Sequence, residues 1–160
     1  MLEFLHRNMI KILFVCHGNI CRSPMAEFIM KDLVARAGLA DRFEIASAAT
    51  STEELGNPVY PPARRKLAEH GLGCEGKTAR QMTRADYQHY DYLIAMDRMN
   101  LRNMRPFVGD DPEGKVSLLM SYAGRQREVA DPWYTGDFET TWQDLNEGCR
   151  ALLSTLQSQC

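Results

Sequence analysis

An almost unbroken apolar run, Met9 to Val15 (MIKILFV), ends on Cys16, and this junction constrains the fold more than any other stretch. A run with so little alternation suits a strand covered on both faces, as in a parallel sheet. The chain then turns through Cys16–Ser23, with Gly18 to permit the backbone twist. Pro24 fits the first turn of a helix, where its missing N–H costs nothing. Met25, Ile29, Leu33 and Ala37 recur every fourth residue, and Gly38 supplies a stop. This strand, loop and helix put a thiol at the strand tip, an arginine six residues later and a helix N-terminus beneath both.

The rest of the chain repeats the alternation. Phe43–Ser47 (FEIAS) is a short second strand. Ala48–Pro62, with Gly56 and three prolines, is a loop entering a helix near Pro61 that covers Ala63–His70. Thr83 and Asp86 have capping-box spacing and start a short helix. Tyr92–Met96 (YLIAM) is a third strand; Asp97 can cap a helix to about Met104, ended by Pro106. Val116–Met120 (VSLLM) is a fourth strand. Ser121–Asp137 is long, polar and without periodicity, the kind of loop that often carries function. Phe138, Trp142, Leu145, Cys149, Leu152 and Leu156 step by four and three along a closing helix.

Strands alternating with helices define an α/β class: a three-layer sandwich with a central, mainly parallel four-stranded sheet flanked by helices. Right-handed crossovers bring the loops after the strands to one edge, where such sheets bind ligands. Ser47, Asp97 and the 121–137 loop then gather around the loop after strand one. With 160 residues, residues 10–160 form one domain and residues 1–9 an N-terminal extension. A net charge of −2 argues against a general binder of nucleic acid or anionic membranes. Five irregularly spaced cysteines, no recognisable secretory signal in Met1–Asn8 and no long apolar segment suit reduced thiols in a cytoplasmic protein.

A lone cysteine at a strand end is ordinarily core packing. Its surroundings change the reading here. A helix N-terminus and Arg22 favour a thiolate at Cys16. Backbone N–H groups of His17, Gly18, Asn19, Ile20, Cys21 and Arg22 form an anion nest. The Arg22 fork can hold two phosphate oxygens. The Ser23 hydroxyl can hydrogen-bond the sulfur. Asp131 precedes a proline, which biases it to an extended conformation in the long loop at the active edge, beside two aromatics.

Cys16 to Ser23 fits C-x5-R-[ST], the phosphate loop of cysteine-dependent phosphatases. The fuller string FVCHGNICRSPMAE near the N-terminus, with Asp131-Pro132-Trp133-Tyr134 far downstream, resembles the low-molecular-weight protein tyrosine phosphatase family over nearly the whole chain from Ile10. The resemblance implies a two-step hydrolysis of phosphotyrosine and small aryl phosphates through a cysteinyl-phosphate. Cys16 is the nucleophile, Arg22 and the loop amides hold the transition-state charge, and Asp131 is general acid, then base. It further implies that Asn19, Ser23 and Ser47 support the loop. Ile20, Trp133 and Tyr134 wall the substrate, and Cys21 is either a redox partner of Cys16 or a small side chain filling the underside of the loop. Asp97 matches a family acidic residue near the pocket and equally a helix N-cap.

The expected partners are phosphotyrosine proteins or peptides, with inorganic phosphate as product, acted on by a monomer or weak dimer. No nucleic acid, membrane, cofactor or metal is implied; His6, His70 and His89 lack ligand spacing. The chain departs from the family at two places. Lys77 stands where the family network usually has a histidine, and lysine cannot accept a hydrogen bond. No aromatic lies near Glu53, where many relatives carry one. Two activities on the same scaffold are the alternatives. Protein-arginine phosphatases tend to have threonine at the position of Ile20. Thiol-dependent arsenate reductases need a mid-chain cysteine pair, and only Cys74 lies there. A third is a non-catalytic binding module, which the intact Cys16, Arg22 and Asp131 oppose. Gly71–Thr78 also satisfies the nucleotide pattern G-x4-G-K-[ST], without the preceding strand or following helix that its mechanism needs.

Overall fold

The computed structural model describes residues 9–160, so all of the N-terminal extension except Met9 lies outside the described residues. The elements are β1 (Ile10–Cys16), α1 (Arg22–Arg36), β2 (Phe43–Ala49), α2 (Pro61–Glu69), α3 (Arg84–His89), β3 (Tyr92–Ala95), α4 (Arg98–Val108), β4 (Val116–Leu118), α5 (Pro132–Thr135) and α6 (Phe138–Gln157). Short 3₁₀ turns cover Ala40–Arg42 and Leu119–Ala123.

The four strands form one sheet in the order β2-β1-β3-β4. Every pairing is parallel. Alternate residues of β1 feed two separate cores. Ile10, Ile12, Phe14 and Cys16 face α1, α2 and α6, whereas Leu13 and Val15 face α3 and α4. This is the physical basis of the unbroken apolar run: both faces of the central strand are covered. The apolar stripe of α6 packs on the first of these cores through Trp142, Leu145, Cys149, Leu152 and Leu156. The expected three-layer α/β sandwich is therefore the observed one.

Several boundaries differ from the sequence pattern. Helix α1 starts at Arg22, two residues before Pro24, because Met25 N–H already reaches the Cys21 carbonyl at 3.0 Å. Pro106 does not end α4. The helix continues to Val108, whose buried side chain packs on the lower core, and Gly109 N–H closes the last turn on Arg105 O at 2.8 Å. Strand β4 stops at Leu118. Leu119 and Met120 instead enter a 3₁₀ turn that buries them against the α6 side. The left-handed residue of the first loop is Asn19 (φ 60°), while Gly18 is not left-handed. Asn tolerates this region better than most residues.

Helix α6 presses closely on the Leu119 turn. A Cβ placed on Gly148 would lie 2.6 Å from Leu119 Cγ. Gly148→Ala is therefore expected to destabilise the protein by about 1–3 kcal/mol despite alanine's higher helix propensity. A urea unfolding curve would check this, and an unchanged or raised midpoint would show that Leu119 yields without cost.

Candidate active site

The loop after β1 wraps over the N-terminus of α1 and leaves the Cys16 sulfur at the floor of a cavity of about 120 Å³. The sulfur lies 3.0 Å from Ser23 Oγ, and Ser23 N–H points at it from 3.4 Å. Loop 50–51 props the other side: Thr50 N–H donates to Cys16 O at 2.9 Å, and Ser51 N–H donates to His17 O at 3.1 Å.

Asn19 compensates its left-handed backbone with three hydrogen bonds. Its amide nitrogen donates to Ser23 Oγ (2.8 Å) and Ser47 Oγ (2.9 Å), and its oxygen accepts from Arg80 N–H (3.2 Å). Ser47 Oγ donates onward to Glu27 Oε1 at 2.6 Å. Asn19, Ser23 and Ser47 thus share one hydrogen-bond network. Lys77 also reaches this network, but as a donor: its Nζ gives a hydrogen bond to Ser47 O at 2.9 Å and lies 3.7 Å from Glu27 Oε1. The lysine of the nucleotide-like Gly71–Thr78 segment is thereby engaged away from any loop apex.

Arg22 is 2% exposed and ties three segments together. Its Nη1 donates to Asp97 Oδ2 at 2.7 Å and to Val129 O at 2.9 Å, and its Nη2 donates to Asp131 Oδ2 at 3.3 Å. Burial would lower its pKa, but the Cys16 sulfur, Asp97 and Asp131 outweigh that and hold it above the usual arginine value. Asp97 fills both roles left open by the sequence. One oxygen accepts from Asn100 N–H at 2.7 Å to cap α4, and the other meets Arg22. Asp131 likewise caps α5, accepting from Trp133 N–H at 3.0 Å.

Ile20, Trp133 and Tyr134 line the cavity, as do His17, Glu53 and Glu54. Trp133 and Tyr134 are 53% and 84% exposed, so they form the mouth. Glu53 pairs with His17 Nε2 at 2.9 Å, so this part of the lining is polar. The aromatic partner comes from elsewhere. Tyr60 packs on Trp133 with ring centroids 4.9 Å apart, and Tyr60 N–H donates to Ile20 O at 2.9 Å. Sequence reading missed Tyr60, Glu27 and the Val129 carbonyl. Tyr60 and Val129 lie in no motif, Glu27 closes the FVCHGNICRSPMAE string without standing out in it, and Val129 acts through its backbone alone.

Cys21 is buried beneath the loop, and Cys16 and Cys21 are both free thiols. Burial, then the nearby Cys16 sulfur, pushes the Cys21 thiol far above its ordinary pKa. Away from the site, Glu69, His70 and Glu139 converge, but Lys66 Nζ lies 2.8 Å from Glu69 and 3.0 Å from Glu139 and supplies the countercharge.

A parallel four-stranded sandwich with a C-x5-R loop at the carboxyl edge and an aspartate facing that arginine defines a class of cysteine-dependent phosphate-loop proteins. The family described as low molecular weight phosphotyrosine protein phosphatase matches residues 11–160, and the chain belongs to it. It is 39% identical over 153 residues to low molecular weight protein-tyrosine-phosphatase YfkJ of Bacillus subtilis, covering 94% of this chain and 98% of that protein. The rat low molecular weight phosphotyrosine protein phosphatase is 40% identical over 147 residues, covering 89% of this chain and 92% of its own. The crystal structure of YfkJ superposes with a TM-score of 0.90 over 94% of this chain and 96% of that one. That of a Drosophila arginine phosphatase, DARP, is 32% identical with a TM-score of 0.83, covering 92% and 98%.

Burial of Cys21 and Cys149 raises both thiols well above the usual range. At neutral pH, iodoacetamide followed by peptide mapping is expected to modify the exposed Cys160 and the cavity-floor Cys16 while sparing Cys21 and Cys149. Labelling of Cys21 in the folded protein would show that the loop opens.

Proposed function

We propose that the chain hydrolyses phosphotyrosine in proteins or peptides, and small aryl phosphates, through a cysteinyl-phosphate. The observation that carries this is the Arg22 guanidinium, which joins the loop bearing Cys16 to Asp131 across one small cavity. The Cys16 sulfur attacks phosphorus while the loop amides and Arg22 take up the charge on the phosphoryl oxygens. Asp131, at the mouth, gives a proton to the departing phenol oxygen. That proton matters because a phenol's own pKa is near 10. Water then attacks the cysteinyl-phosphate, Asp131 accepts its proton, and inorganic phosphate leaves. The Ser23 hydroxyl stabilises the sulfur as it departs. Ile20 and the exposed Trp133 and Tyr134 give the cavity an apolar lining that suits a flat aromatic ring.

The family members and structures similar to this chain support the reading, since their names describe tyrosine phosphatases. One neighbour is titled an arginine phosphatase, so phosphoarginine is the second reading; Ile20 in the loop favours the tyrosine one. Arsenate reduction finds less support, with Cys74 buried and no second mid-chain cysteine in the sequence. We further infer that a peroxide oxidises the Cys16 sulfur to a sulfenic acid, which the Cys21 sulfur in the same loop attacks with loss of water to form a Cys16–Cys21 disulfide. Among the described residues no helix is long and apolar enough to cross a membrane.

Cys16→Ser is expected to abolish turnover of an aryl phosphate, and Asp131→Ala to slow it about 10²–10⁴-fold while inorganic phosphate still binds. Side-by-side assays with a phosphotyrosine peptide, phosphoarginine and arsenate check the substrate class. Retained activity in Cys16→Ser would end the mechanism, and faster turnover of phosphoarginine would reverse the reading of Ile20.

A further inference from the structure

Residues 124–131 join the 3₁₀ turn to α5 and carry two groups of the site, the Val129 carbonyl and Asp131. The stretch forms neither helix nor strand, and Gly124–Arg127 are exposed. Contacts with other elements must therefore hold it. At 3.3 Å the Arg22–Asp131 contact is the longest of the three that Arg22 makes. The place of the Asp131 carboxyl thus depends on its own backbone more than on Arg22. Val129 pins that backbone once. Its side chain is fully buried, its N–H donates to Met96 O at 3.0 Å, and its carbonyl accepts from Arg22 at 2.9 Å.

A second pin comes from α6, an element that contributes nothing to the cavity lining. Arg127 Nη1 donates to Asp144 Oδ2 at 2.9 Å, and its Nη2 reaches Asp144 Oδ1 at 2.7 Å. This is a two-pronged contact, the strongest form of arginine–carboxylate pairing. Asp144 is 4% exposed within α6, where a carboxylate without a counter-charge would be costly. Two other ion pairs touch the stretch. Glu147, one turn along α6, accepts from Arg125 Nε at 2.8 Å, and Glu128 accepts from Arg98 N–H at the start of α4. Both join solvent-exposed side chains, and such pairs contribute little. The buried carboxylate of Asp144 makes the Arg127 pair the one that matters.

We propose that Arg127 and Asp144 are positioning residues for the reaction: an ion pair that fixes the backbone leading to Asp131 and so sets where its carboxyl meets the departing oxygen. Arg127 stands two residues before Val129 and four before Asp131. With both Arg127 and Val129 held, the chain enters Asp131 along one path. With Arg127 released, Val129 is left as the single pivot. Neither Arg127 nor Asp144 lines the cavity, so neither touches substrate or the reacting atoms. A general acid works only within hydrogen-bond reach of the oxygen it protonates, and a small displacement of its backbone is felt in the rate. The inference rests on Asp131 being the acid of the proposed phosphatase.

The test compares Arg127→Met, Asp144→Asn and the double variant with the wild type on two esters, phenyl phosphate and 4-nitrophenyl phosphate. The value of kcat/KM reports the step that forms the cysteinyl-phosphate, and a placed proton matters most there for the more basic leaving oxygen. Each variant is expected to lose about ten-fold on phenyl phosphate and no more than about two-fold on 4-nitrophenyl phosphate. The double variant should lose no more than either single one, because the two side chains act as one pair. Equal losses on both esters, which a shortage of folded molecules would give, would overturn the proposal. So would unchanged kcat/KM, or a double variant whose loss is the product of the single losses. Should a single variant fail to fold by circular dichroism, the double variant, which leaves no buried charge unpaired, decides by the ratio of its two losses. A wild type inert toward both esters would overturn the phosphatase reading. Amide hydrogen exchange across residues 124–131 then judges the anchor by itself: faster exchange in Arg127→Met supports it, and unchanged exchange overturns it.

Discussion

The buried guanidinium of Arg22 is the interaction on which the rest of the site depends. It leaves the first turn of α1 and meets a helix cap, a backbone carbonyl and the Asp131 carboxylate within 2.7–3.3 Å. A planar group with several fixed donors can hold three partners from two other segments at once; an ammonium on a flexible stem would not set their relative angles. An arginine this buried must be paired, and its pairing organises the loops after β3 and β4 around the loop after β1.

Below this layer lies a second polar network, buried among the helices and β2. Asn19 bridges Ser23 and Ser47 and accepts from Arg80, and Glu27 and Lys77 terminate the chain. In a low-dielectric interior each of these groups is costly if left unpaired, so a network this fully satisfied resists distortion. That rigidity offsets the strain of a non-glycine residue at φ 60°. The two networks share α1: Arg22 faces the cavity mouth, Ser23 the sulfur, and Glu27, one turn on, the supporting layer.

Much of the fold was legible in residue order. The apolar run before Cys16 needed cover on two faces, and the period of α6 required a single buried stripe; both follow from local geometry. The site was legible where function sits in a short motif, as in Cys16–Ser23, or where a residue's own backbone bias marks it, as with Asp131 before proline. It was illegible where function passes through atoms that every residue possesses, such as the Val129 carbonyl. It was also illegible where a side chain matters only because of what folds against it. Glu27 ends the first motif with nothing in its residue type to mark a buried role, and Tyr60 looks like any loop aromatic. Pro106 misled because its helix-breaking cost was outweighed by burial of Val108 against the sheet.

The sequence by itself determined that strands alternate with helices in one parallel sheet, and that a thiol, an arginine and a helix N-terminus share the first turn. Those properties depend on neighbours along the chain. Tertiary structure alone decided that Asp97 serves a helix and an arginine with different oxygens, and that Lys77 substitutes as a donor beside Glu27. It also decided that Tyr60, and no residue near Glu53, backs the aromatic wall. These depend on distances between segments tens of residues apart, which only the closed sheet and its buried counter-charges set.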